Sequence, residues 1–123
     1  MADLSGTWLG TYWQGGFPTR FEATLVQSGN TLIGNILDDN FLGEAKVSGD
    51  TIGRSIRFIK SYLTISTDSV VYTGILAESE DFIQGQWFIA GFDSGPWEAR
   101  RGGEELMSSW RSRLADQIPL GTR

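Results

Sequence analysis

The sequence predicts an all-β fold: an eight-stranded antiparallel meander closed into a β-barrel, followed by a short C-terminal helix. Three observations lead there. From residue 5 to residue 101, segments rich in Thr, Val, Ile, Phe, Trp and Tyr alternate with breaks that hold Gly, Asn or Asp. No helical periodicity intervenes between these segments, so neighbours join through hairpins and pair antiparallel. Gly10, Gly34, Gly53, Gly74 and Gly85 fall inside predicted strands, where strong curvature gives glycine a use that a flat sheet would not.

In chain order the strands are predicted over Gly6–Gln14, Arg20–Gln27, Thr31–Asp38, Phe41–Ser48, Thr51–Lys60, Ser69–Glu78, Phe82–Ala90 and Gly95–Arg101. The first puts Trp8, Gly10 and Tyr12 on one phase, and the second does the same with Phe21, Ala23 and Leu25. Ser28-Gly29-Asn30 and Asp39-Asn40 supply residues that tolerate turn conformations at either end of the third. Gly49-Asp50 suits a tight hairpin turn with Gly at its first central position, which separates the fourth strand from the fifth. On the fifth, Ile56, Phe58 and Lys60 share an inward face that Tyr62 continues. The third, sixth and seventh strands are apolar on both phases, with Leu32, Ile33, Ile36 and Leu37 as the first instance. One phase lines a core and the other calls for cover, by the tail or by a second subunit, so a homo-oligomer is expected and a dimer is its simplest form. Gln84 and Gln86 place amides on one face of the seventh strand.

Gly102-Gly103 ends the last strand, and a helix is predicted over residues 104–117. Glu104 and Glu105 suit its N-terminus, Leu106, Met107, Trp110 and Leu114 form its apolar stripe, Arg111 and Arg113 lie toward its C-terminal end, and Pro119 stops it. The chain therefore divides into a barrel domain, residues 1–103, and a helical tail, residues 104–123.

Composition narrows the chemistry. With 123 residues, 40% apolar and 20% charged, the chain fits one domain with a substantial core. Cys and His are absent, which excludes disulfides, thiolate nucleophiles, imidazole catalysis and zinc or haem ligation by those side chains. Residues 1–99 carry five basic residues against twelve acids, a balance of −7, while residues 100–123 carry five Arg against three acids, a balance of +2. An acidic body repels phosphates, so no nucleic-acid partner is expected. No apolar run is long enough to span a bilayer and no signal peptide opens the chain, so a cytoplasmic location is expected. Asp38-Asp39-Asn40 reads as a solvated turn rather than a calcium loop, and neither a metal nor a cofactor is predicted.

Leu4-Ser5-Gly6-Thr7-Trp8 in the first strand and Arg100-Arg101 in the last resemble the calycin pattern of lipocalins and avidins. The resemblance implies an up-and-down barrel in which Trp8 plugs one end and Arg100 or Arg101 packs across it. Trp87 and Trp97 add to the avidin-like character of the pattern.

An eight-stranded barrel is just wide enough to be filled by side chains or to hold one small ligand. Tyr12, Phe58, Lys60, Tyr62, Tyr72, Trp87 and Trp97 are the candidate ligand-binding residues, with Trp13 and Phe88 as further aromatics. Lys60 is the informative one, because an ammonium on an apolar face must pair with an acid, reach solvent or meet an anion. Asp38, Glu44 and Glu98 are its candidate partners. The function expected first is binding of a small apolar or aromatic molecule, with or without an anionic group, in the barrel interior. An interaction module with a filled barrel is the alternative. A barrel-type cyclase or isomerase is a third reading, and would call for two buried carboxyls or a carboxyl–Tyr pair facing one cavity. No catalytic residue is assigned.

Overall fold

The computed structural model describes residues 3–40, 42–63, 69–89, 91 and 93–102. Eight strands follow one another: β1 Gly6–Gln14, β2 Phe17–Ser28, β3 Thr31–Asp38, β4 Glu44–Ile52, β5 Ser55–Tyr62, β6 Ser69–Leu76, β7 Phe82–Ile89 and β8 Asp93–Gly102. Each pairs antiparallel with the next, and β8 pairs back onto β1, so the sheet closes into a barrel. The predicted helix over residues 104–117 lies outside the described residues, as do Phe41 and Ala90 at the ends of two predicted strands. Among the described residues no helix is long and apolar enough to cross a membrane.

β1 and β3 run over the spans expected from their alternation, but the β4–β5 hairpin does not turn where Gly49-Asp50 suggested. Ile52 pairs with Ser55, so Gly53 and Arg54 make the turn, with Gly53 at φ 62°. That φ belongs to the left-handed region and fits a turn with Gly at its first central position. Gly49 instead lies inside β4 opposite Phe58, where a Cβ would run into the Arg57 carbonyl oxygen and sit 2.5 Å from the Phe58 Cα. Close approach of two backbones, and not a turn, is what requires glycine there. Gly53 is correspondingly a turn residue and not the strand glycine it resembled.

Inward and outward phases alternate along every strand, and the inward set forms one continuous core from Leu4 to Ala99. The barrel end formed by the start of β1 and the end of β8 is closed. Trp8 is 1% exposed there and donates its indole N–H to the Leu4 carbonyl. The Arg101 guanidinium lies 4.5 Å from the Trp8 ring and donates to the carbonyls of Asp3, Ser5 and Glu80. Glu80 takes a positive φ of 63° to present its carbonyl. Arg101 is thus the residue across the plug; Arg100 points outward and packs over the Phe82 ring.

The middle of the barrel is filled. Phe58 and Tyr72 stack at 4.8 Å, and Trp97 meets both edge-on at 5.9 and 5.3 Å. The space left among the middle and plug side chains is about 10 Å³, no more than one water. On the outer phase, Ile33, Leu37, Ile75 and Phe88 are exposed, as are Gln84 and Gln86.

Candidate functional site

The end opposite the Trp8 plug is the mouth. Alternation delivers Tyr12 from β1, Asp38 from β3, Lys60 and Tyr62 from β5, and Tyr72 from β6 to the interior beneath it. Lys60 Nζ lies 2.7 Å from Asp38 Oδ1, and both side chains are wholly buried. Tyr62 and Tyr12 donate their hydroxyl protons to Asp38 Oδ2 at 2.7 and 2.9 Å, and Asn40 Nδ2 donates to the Tyr12 oxygen at 3.2 Å. Lys60 Nζ also reaches the Tyr72 hydroxyl oxygen at 3.4 Å. The ammonium sits 4.8 Å from the centres of both the Tyr12 and Tyr62 rings and 5.5 Å from that of Tyr72. A buried ion pair survives when hydrogen bonds satisfy its remaining atoms, and here three hydroxyls, two on the carboxylate and one on the ammonium, do so beside the faces of the same three tyrosine rings.

Asp38 therefore corrects the reading of Asp38-Asp39-Asn40 as a solvated turn. It shares the inward phase of Leu32 and Ile36, so the period-2 pattern of β3 carried the signal. Only Asp39 and Asn40 are exposed.

Burial sets the protonation behaviour of this cluster. Desolvation pushes the Tyr12, Tyr62 and Tyr72 hydroxyls above the usual tyrosine value, and the Asp38 carboxylate adds to the shift in all three. Burial draws the Lys60 ammonium down, with Asp38 opposing it. The carboxyl–Tyr pair that an enzyme reading calls for is present, yet its tyrosines are shifted away from neutrality, where acid catalysis would want them closer to it.

Between the cluster and the mouth lies a cavity of about 160 Å³. Tyr12, Tyr62, Tyr72 and Trp87 line it with their rings, Val70 and Ile89 close its sides, and Gln14 and Leu42 stand at its rim. Four of the seven candidate binding residues thus meet at one cavity. Lys60 lies beneath it, paired with Asp38, while Phe58 and Trp97 belong to the packed middle. Trp13 and Phe88 take the outer phase and do not line the cavity. The indoles cannot orient a ligand by hydrogen bonding, because Trp87 donates to the Trp13 carbonyl at 3.0 Å and Trp97 to the Thr73 carbonyl at 2.9 Å. The Tyr72 hydroxyl accepts from Lys60, and its own proton has no acceptor among the described residues. Val70, Ile89, Leu42 and Gln14 were not among the sequence candidates.

No protein-family model matches the chain, and no curated protein matches it. Among solved structures, a de novo designed fluorescence-activating β-barrel is similar in fold, with a TM-score of 0.62 at 18% identity over 83% of this chain and 100% of that one.

Proposed function

We propose that this barrel is a calycin-like small-molecule-binding protein whose mouth takes one neutral, single-ring aromatic molecule with a carbonyl or hydroxyl oxygen. The cavity between the tyrosine cluster and the mouth carries this reading. A void of about 150 Å³ accommodates benzene, and this one is of that size, about 160 Å³. Four aromatic rings supply faces and edges for stacking, and the Tyr72 proton supplies one directional contact. The likeness to a fluorescence-activating barrel supports an interior that can be put to use in this architecture. Asp38 neutralises Lys60 and no part of the ammonium reaches the surface, which argues against an anionic group on the ligand.

The test is ligand-observed NMR with phenol, acetophenone, benzoate and benzylamine as probes. Phenol and acetophenone are expected to bind, with the two charged probes at least about tenfold weaker because burying a charge costs free energy. Val70→Phe fills the cavity and is expected to abolish binding while circular dichroism stays unchanged. Tyr72→Phe keeps the stacked ring and is expected to weaken acetophenone by about five- to tenfold. Equal binding to the Val70→Phe variant would overturn the reading. A second reading, an interaction module with a filled barrel, is favoured by the packed middle and the apolar outer wall; it expects none of the four probes to bind.

A further inference from the structure

The outer wall over β6, β7 and β8 carries an open groove of about 800 Å³, separate from the mouth. Gly74 and Gly85 face each other across β6 and β7 at its floor. Neither position has room for a side chain: a Cβ on Gly85 would collide with the Thr73 carbonyl oxygen, and one on Gly74 would come 2.9 Å from the Trp97 indole. Ile75, 59% exposed, together with Phe82, Trp13 and Pro96, gives the groove apolar sides. Glu98 is the charged residue that lines it, and this carboxylate makes no ion pair among the described residues.

Where the chain goes next identifies an occupant. β8 ends at Gly102 at the plugged end, and Arg100 just before it pairs with Phe82, one of the groove's lining residues. The described part of the chain therefore ends beside the groove, with residues 103–123 still to follow. As a helix, residues 104–117 would be about 21 Å long, which suits a wall of eight-residue strands of about 26 Å. Running back toward the mouth, Arg111 and Arg113 would lie about 12–15 Å from residue 103. Glu98 stands four residues before Gly102 on β8, about 13 Å up the same wall. The helical stripe of Leu106, Met107 and Trp110 precedes those arginines at the level of the apolar sides.

We propose that residues 104–117 form a helix docked in this groove of their own molecule, with Leu106, Met107 and Trp110 against the apolar sides and an arginine of the Arg111/Arg113 pair against Glu98. Docking in cis needs no second chain, because the linkage at Gly102 keeps the local concentration of the segment high. It also covers apolar surface that would otherwise promote association.

The chain has no cysteine, so one label can be placed at will. A nitroxide on Gln84→Cys is expected to erase the amide NMR signals of residues 106–114, with recovery when the nitroxide is reduced. A label on Asn35→Cys, on a different part of the wall, should leave them intact. Ser55→Cys at the groove's other side repeats the experiment should a label at position 84 block the groove. Trp110→Ala is expected to restore the signals with the Gln84→Cys label still oxidised. Mixing spin-labelled unenriched chains with isotope-enriched unlabelled ones separates the occupants: broadening in that mixture means a second copy fills the groove and overturns docking in cis. Intact signals with both groove labels overturn it as well.

Discussion

Asp38 and Lys60 show how one residue's meaning depends on its phase. The two were legible as a candidate pair from the inward alternation of Lys60, but the acidic run at residues 38–40 suggested a turn, and only the three-dimensional register separates Asp38 from its neighbours. Their energetics follow from complete burial. Asp38→Ala would leave an ammonium without its carboxylate and is expected to cost about 3–5 kcal/mol in urea unfolding. The double variant Asp38→Leu, Lys60→Met replaces the pair with apolar groups of similar volume and is expected to recover most of that loss. A double variant as unstable as Asp38→Ala alone would show that hydroxyl and ring contacts, and not the charge pair, dominate the cluster. Tyr12, Phe58, Lys60 and Tyr62 were legible as inward because they obey the period of 2, Tyr72, Trp87 and Trp97 were picked out as aromatics alone, and the cavity's aliphatic sides were not legible. Val70 and Ile89 are ordinary strand residues whose role follows from barrel closure.

Among the elements, alternation located eight strands, and the β4–β5 hairpin exposes its limit. Of two glycines four residues apart, Gly49 reads as the turn former and Gly53 as a strand glycine, the reverse of what the barrel uses, because sequence alone has no means of telling a positive φ from a close backbone approach. Alanine scanning distinguishes them. Gly53→Ala must adopt a left-handed φ in open space and is expected to cost about 1–2 kcal/mol. Gly49→Ala drives a methyl into the β5 backbone and is expected to cost more, about 3 kcal/mol or above. A larger loss at Gly53 than at Gly49 in thermal melts would contradict the observed register.

For the whole molecule, all three tyrosines of the chain share one buried cluster, which makes alkaline stability a global readout of the site. The unfolded chain releases tyrosine protons near pH 10 while the folded barrel keeps them, so unfolding liberates protons and rising pH favours it. With three such groups, stability is expected to fall by up to about 4 kcal/mol per pH unit above pH 10, the limit reached while all three stay protonated in the barrel. Lys60 acts in the opposite sense. The unfolded chain holds that proton up to about pH 10.5 whereas the barrel releases it earlier, so this group adds stability as pH rises toward that value and nothing more beyond it. Tyrosinate absorbance at 295 nm is expected to appear together with the loss of near-UV circular dichroism; a tyrosine titrating near pH 10 in an intact barrel would contradict the burial of the cluster. The pairing of β8 with β1 has a kinetic consequence. Seven hairpins can form from neighbouring residues, but this one contact must close a loop of nearly the whole barrel sequence, an entropic cost met late in folding. Arg101, which ties the last strand to Asp3 and Ser5, should therefore act as a latch whose removal leaves the refolding rate almost unchanged and accelerates unfolding.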